Sequence, residues 1–232
     1  MDVECIRAAA AEQHPFAVVL SCAHSRVPPE IVFDQGIGDL FTVRVAGNVA
    51  NGDEIASIEF AVEQLHTPLC VVVGHTGCAA IQAVLSGNRL PLEIDQLFRQ
   101  IKTAVNEARA HAWLSGAKLV NAAVRMNVGQ SVETLRNHLR KLIEQQKVHI
   151  VGAEYHMDCR EVVWLDAQHQ DRKSRPNEPP VGGRLNLCLG KSVLNLRCTG
   201  LALRFRAPGY VRRTRPRAHE IVFLTECFGV RD

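Results

Sequence analysis

The side chains of this chain best suited to act together are Cys22, His75 and Cys78. Two sulfurs and one imidazole nitrogen form a soft-to-borderline donor set that suits zinc. Structural zinc sites close with four protein ligands, whereas catalytic sites keep three and leave a position for water; three is the count here. Taken singly, each cysteine reads as a small core residue and the histidine as a hydrogen-bonded one. Their placement favours a metal. The run Leu69-Cys70-Val71-Val72-Val73-Gly74 leads straight into His75-Thr76-Gly77-Cys78, and the similar run Phe16-Ala17-Val18-Val19-Leu20-Ser21 ends at Cys22.

Those two apolar, valine-rich runs have the character of central parallel strands covered on both faces, with Gly74 and Gly77 allowing the tight turn that follows the second. In an open parallel sheet, ligands bind in the crevice outside the carboxyl ends of neighbouring strands, so the three donors are expected to converge at one edge. Ser25 and Arg26 fall beside that edge, before Pro28-Pro29 ends regular structure. A further strand is expected over Phe41-Thr42-Val43-Arg44-Val45. Asn51 and Glu54 then have the spacing of a capping box ahead of a helix with Ile55, Ile58, Ala61, Val62 and Leu65 on one face. The pattern predicts a short helix over 2–13 and another from Ala79 to Leu85, whose positive end should favour thiolate at Cys78. Long helical segments are expected over Pro91 to His111 and Ala117 to Gln146, the second with a break at Gly129. Their expected role is to cover the sheet. Val148 to Val151 and Val162 to Leu165 read as a hairpin through the polar stretch His156 to Arg160. Alternating strands and helices before a terminal hairpin indicate an α/β domain: a mainly parallel central sheet flanked by helices, with an antiparallel edge.

Composition divides the chain. Residues 1–166 carry 14 Lys/Arg against 19 Asp/Glu, a balance of −5, whereas residues 167–232 carry 13 against 5, or +8. A zinc domain over 1–166 is therefore expected to be followed by a basic, poorly ordered C-terminal extension over 167–232. The cluster Arg212-Arg213-Thr214-Arg215-Pro216-Arg217 lacks an aromatic stacking platform or a known module, so nucleic-acid binding is not expected. No stretch reaches the ~20 apolar residues of a membrane span, and the N-terminal residues lack a signal peptide's basic start. The eight cysteines are scattered without the spacing of a small secreted domain, which fits a cytoplasmic chain with free thiols.

Over roughly residues 14–166 the sequence resembles the β-class carbonic anhydrases. The resemblance rests on Cys22 with Ser25-Arg26-Val27, on Phe33-Asp34-Gln35-Gly36-Ile37-Gly38-Asp39-Leu40-Phe41, on Val43-Arg44-Val45-Ala46-Gly47-Asn48, on Gly74-His75-Thr76-Gly77-Cys78 and on the closing hairpin. It implies zinc held by Cys22, His75 and Cys78, reversible hydration of carbon dioxide to bicarbonate, and a homodimer or higher homo-oligomer with sites near subunit interfaces. It also implies roles for Arg26 and for the position of His24. The family's first motif is Cys-x-Asp-Ser-Arg, in which the aspartate pairs with the arginine, orients the nucleophile and in some members reaches zinc itself; here His24 replaces it. Three outcomes follow for this chain. Activity survives at a reduced level, with His24 an altered neighbour of the metal or a proton carrier. Alternatively, His24 becomes a fourth ligand and the domain is a silent zinc binder, or the scaffold hydrolyses another linear substrate such as carbonyl sulfide or carbon disulfide.

Overall fold

The computed structural model describes residue 10, residues 12–165 and the backbone of three strands at 184–189, 192–197 and 204–206. Of the helix expected over 2–13 only residue 10, which is helical, and residues 12 and 13, which are not, are described; within the extension expected over 167–232 only the three strands are described, and the basic cluster at 212–217 lies outside the described residues.

Five strands form the centre of the structure: β1 (Ala17–Cys22), β2 (Leu40–Val45), β3 (Leu69–His75), β4 (His149–His156) and β5 (Glu161–Trp164). They lie in the order β2-β1-β3-β4-β5, the first four parallel and β5 antiparallel to β4. This is the α/β arrangement expected of the sequence, with its antiparallel edge. Farther along, β6 (Arg184–Leu189) and β7 (Ser192–Arg197) pair with each other, and β8 (Arg204–Arg206) lies antiparallel to β5. The strand alternation sorts β1 and β3 onto two cores. Val19, Val71 and Val73 belong to one, while Val18, Leu20, Cys70 and Val72 belong to the other.

Helices α1 (Pro29–Val32), α2 (Gly52–Gln64), α3 (Ala79–Leu85), α4 (Leu92–Leu97), α5 (Arg99–Arg109), α6 (Gly116–His138) and α7 (Arg140–Glu144) fill the connections. At the start of α2 the Asn51 backbone N–H donates to Glu54 Oε2 at 3.2 Å, the reciprocal half of the expected capping box. The two long helical segments break where the sequence does not signal it. The first divides at Phe98 into α4 and α5, and the second runs unbroken through Gly129 and divides at Leu139. Both junction residues are buried, at 6% and 1% exposure. At Gly129, where the helix continues, a Cβ would meet nothing within 4 Å.

The register delivers the donors. Ser21 on β1 pairs with Val73 on β3, so Cys22 and His75, each at the last position of its strand, emerge at the same sheet edge. The next residues, Thr76 and Gly77, turn the chain so that Cys78 stands immediately before α3, with Gly77 at φ 66°. That left-handed conformation favours glycine.

Candidate metal centre

One donor atom from each of Cys22, His75 and Cys78 lies within 4.8 Å of the others, and all three residues are buried. The two sulfurs are 4.0 Å apart. His75 Nδ1 lies 3.0 Å from the Thr76 carbonyl oxygen, to which it donates, so the proton of the neutral ring is held there and the lone pair is left on Nε2. That Nε2 is buried without a hydrogen-bond partner. A buried imidazole nitrogen with nothing to accept from, beside two thiols and oriented through its other nitrogen, fits a metal ligand set.

The backbone prepares the sulfurs unequally. The Gly47 N–H donates to Cys22 Sγ at 3.3 Å. The Cys22 thiol is held far below its ordinary value, first by the hydrogen bond from Cys78 and further by His75 and Gly47. The Cys78 thiol is pushed up, first by its hydrogen bond to Cys22 and then by burial, although backbone groups of Ile81 and Ala80 at the start of α3 pull the other way. The start of α3 thus acts on Cys78 in the direction expected of a helix N-terminus, against the opposing effects of the neighbouring sulfur and of burial.

His24 and Arg26 sit at the mouth. The Arg26 Nε–H donates to His24 Nε2 at 3.0 Å, and the His24 ring meets the His75 ring edge-on with centroids 4.8 Å apart. Burial first, and then neighbouring positive charge, Arg26 and Arg44 included, hold the His24 imidazole below its usual range, which favours the neutral ring that this bond requires. His24 Nδ1 is buried and has no partner. His24 does not belong to the cluster of donor atoms within 4.8 Å of one another.

The sequence profile of the carbonic anhydrase family matches residues 17–162, the whole span from β1 into β5. The chain belongs to the β-class carbonic anhydrase family. It is 53% identical over 77 residues to carbonic anhydrase 2 of Mycobacterium tuberculosis, an alignment covering 33% of this chain and 37% of that relative, so little more than a third of the relative's length is spanned. With a carbonic anhydrase of Pseudomonas aeruginosa the identity is 32% over 184 residues, covering 74% of this chain and 83% of the other. The solved structure of the β-carbonic anhydrase CcaA superposes with a TM-score of 0.63 at 28% identity, over 71% of this chain and 79% of that one.

Against this β-class carbonic anhydrase background, several residues that the sequence did not single out hold the site together. Arg44, on the edge strand β2, donates from Nε and Nη2 to the Cys22 carbonyl at 3.2 and 3.1 Å and from Nη2 to the His24 carbonyl at 2.6 Å. It thereby clamps the loop between the first ligand and Arg26. Helix α6, expected only to cover the sheet, braces the turn before Cys78 and the Gly47–Asn48 turn that bonds Cys22. Asn121 Oδ1 accepts from the Gly77 N–H at 3.4 Å, Asn127 Nδ2 donates to the Gly47 carbonyl at 2.7 Å, and Ser131 Oγ donates to the Asn48 carbonyl at 2.9 Å. Asn127 and Ser131 are fully buried and one helical turn apart, and polar residues at that spacing on the apolar face of a helix were the available signal. Beside His75 lies a cavity of about 10 Å³ lined by Val27, Val32, Phe33, Val73 and Ser21. It has room for about one water-sized sphere.

Proposed function

We propose that this chain is a zinc-dependent carbonic anhydrase that interconverts carbon dioxide and bicarbonate, with Cys22, His75 and Cys78 as the metal ligands. The observation that carries the proposal is the buried, unpartnered His75 Nε2 facing two thiols at a parallel-sheet edge, in a chain of this family. When bound, zinc supplies the Lewis acidity that makes water a nucleophile near neutral pH. The chain's own residues supply orientation and charge. The Thr76 carbonyl fixes the His75 tautomer, Gly47 N–H shares the charge on Cys22, and Arg44 fixes the turn that carries His24 and Arg26. Arg26 uses Nε on His24, and its guanidinium places a positive charge at the exposed mouth, where it attracts the product anion. The apolar wall of Val27, Val32, Phe33 and Val73 beside His75 suits a small substrate without charge.

His24 supports activity below that of a site with an acidic group at this position. Its accepting nitrogen is already taken by Arg26, so toward the site the neutral ring has only an N–H to offer. Association into a homodimer or higher oligomer is part of the proposal: β2 is an edge strand, and Ile31 and Ile37 near it are 75% and 54% exposed. A cytoplasmic setting fits the unpaired thiols of Cys22, Cys70, Cys78 and Cys159. No helix among the described residues is long and apolar enough to cross a membrane. Carbon dioxide hydration followed by stopped flow, with zinc content measured on the same sample, tests the function. Full zinc occupancy without hydration would overturn it in favour of a silent zinc-binding relative.

A further inference from the structure

The turn between β4 and β5 holds a second group of chemically capable side chains. One donor atom from each of His156, Asp158 and Cys159 lies within 4.8 Å of the others. The three differ in kind, an imidazole, a carboxylate and a thiol, and that mixture suits a borderline divalent ion of the zinc type better than calcium or magnesium, which take oxygen ligands. Cys159 is exposed and unpaired, so a cation can reach it.

What lies behind the imidazole is independent of the cluster. Glu154 is 1% exposed, and its Oε2 lies 3.3 Å from His156 Nε2 and 3.0 Å from Arg125 Nη1. Its Oε1 is buried with no partner. A buried carboxylate satisfied on only one oxygen is costly to keep. A carboxylate that contacts one nitrogen of a histidine is the usual support of a histidine bound to a metal through the other, because it fixes the ring and raises its basicity. Arg125 offsets the charge of that carboxylate while leaving it against the ring.

We propose that His156, Asp158 and Cys159 form a second, solvent-accessible site for a zinc-like divalent cation, with Glu154 as the positioning residue behind His156. The site is tied to the first by short links. The residues flanking His156 both bond Thr76: its N–H donates to the Tyr155 carbonyl at 3.0 Å, and the Met157 N–H donates to its Oγ1 at 3.2 Å. A cation at the turn therefore pins the hairpin against the segment that runs from His75 to Cys78.

The test uses the full chain with zinc already bound and dialysed free of excess, titrated with cobalt(II). The near-ultraviolet thiolate-to-cobalt charge transfer and the visible ligand-field bands are followed, and retained zinc is measured by elemental analysis. The parent is expected to take up about one cobalt more than Cys159→Ser, and the charge transfer from this site disappears in that variant. His156→Ala and Glu154→Gln should weaken cobalt binding by about tenfold or more. Retained zinc should be the same in all four proteins, which separates failure at this turn from failure at Cys22, His75 and Cys78. Equal cobalt uptake and charge transfer in parent and Cys159→Ser, or unchanged affinity in His156→Ala, would overturn the proposal.

Discussion

Replacing His24 by aspartate should raise carbon dioxide hydration, and the structure indicates by how much. His24 Nε2 accepts from Arg26 Nε at 3.0 Å, so the neutral ring carries its proton on Nδ1, which is buried and unpartnered. Arg26 already brings a charge to this bond, and an ion pair at its exposed guanidinium gains about 1 kcal/mol at most, so the carboxylate introduced by His24→Asp would hold Arg26 only a little more firmly. The carboxylate also keeps a second oxygen free to accept from the attacking water, which the imidazole cannot do with Nε2 occupied. If the transition state feels one such difference, about 1.4 kcal/mol corresponds to about a tenfold gain in rate. Stopped-flow hydration on the parent and on His24→Asp, both at full zinc content, measures it as kcat and kcat/KM separately. His24→Asn distinguishes charge from shape: a neutral carboxamide should recover much less than the carboxylate. Parent activity equal to or above that of His24→Asp would refute the reasoning, since His24 would then not be what limits the site.

Cys22→Ser and Cys78→Ser should each lose bound zinc, whereas Cys70→Ser should keep it, as elemental analysis of the purified proteins will show; full occupancy in either of the first two removes that residue from the ligand set. Gly47→Ala should destabilise the fold by about 1–3 kcal/mol in denaturant melts, because a Cβ there would stand 2.4 Å from Ile101 Cδ1 on a backbone with φ 80°; an unchanged midpoint would mean that α5 yields freely. Burial pushes the Cys70 thiol from 9.0 up to about 12, so its contribution to stability is complete below about pH 9 and is lost as pH rises toward 12. Peptide mapping after alkylation of the native protein at pH 8 should accordingly show Cys159 modified and Cys70 intact. A chain ending at Asp166 should keep about one zinc, since every proposed ligand comes from the strands and turns before it; loss of zinc on truncation would show that the extension is needed for the site.

The parts of the site that were legible in the sequence are those set by local signals. Cys22, His75 and Cys78 could be placed at strand ends because each follows an apolar run of strand length and because Gly77 permits the turn. The contribution of other layers was not legible, since it depends on what stands opposite. Gly74 reads locally as a turn residue, yet it lies within β3, where a Cβ would come within 2.6 Å of Val128 and 2.8 Å of Val124 on α6. Its real function is to let that helix approach the sheet, close enough for Asn121 to reach the Gly77 N–H. Arg44 reads as one polar position of an alternating strand, and only the parallel pairing of β2 with β1 shows that it spans to the Cys22 and His24 carbonyls. His24 shows the same limit within a single motif. From the sequence its replacement of an acid leaves Arg26 without a partner, but the imidazole is long enough for Nε2 to meet the guanidinium itself. The substitution therefore keeps a partner for Arg26 while replacing a carboxylate by a ring whose other nitrogen, Nδ1, is buried and unpartnered, a difference that only the local geometry makes visible.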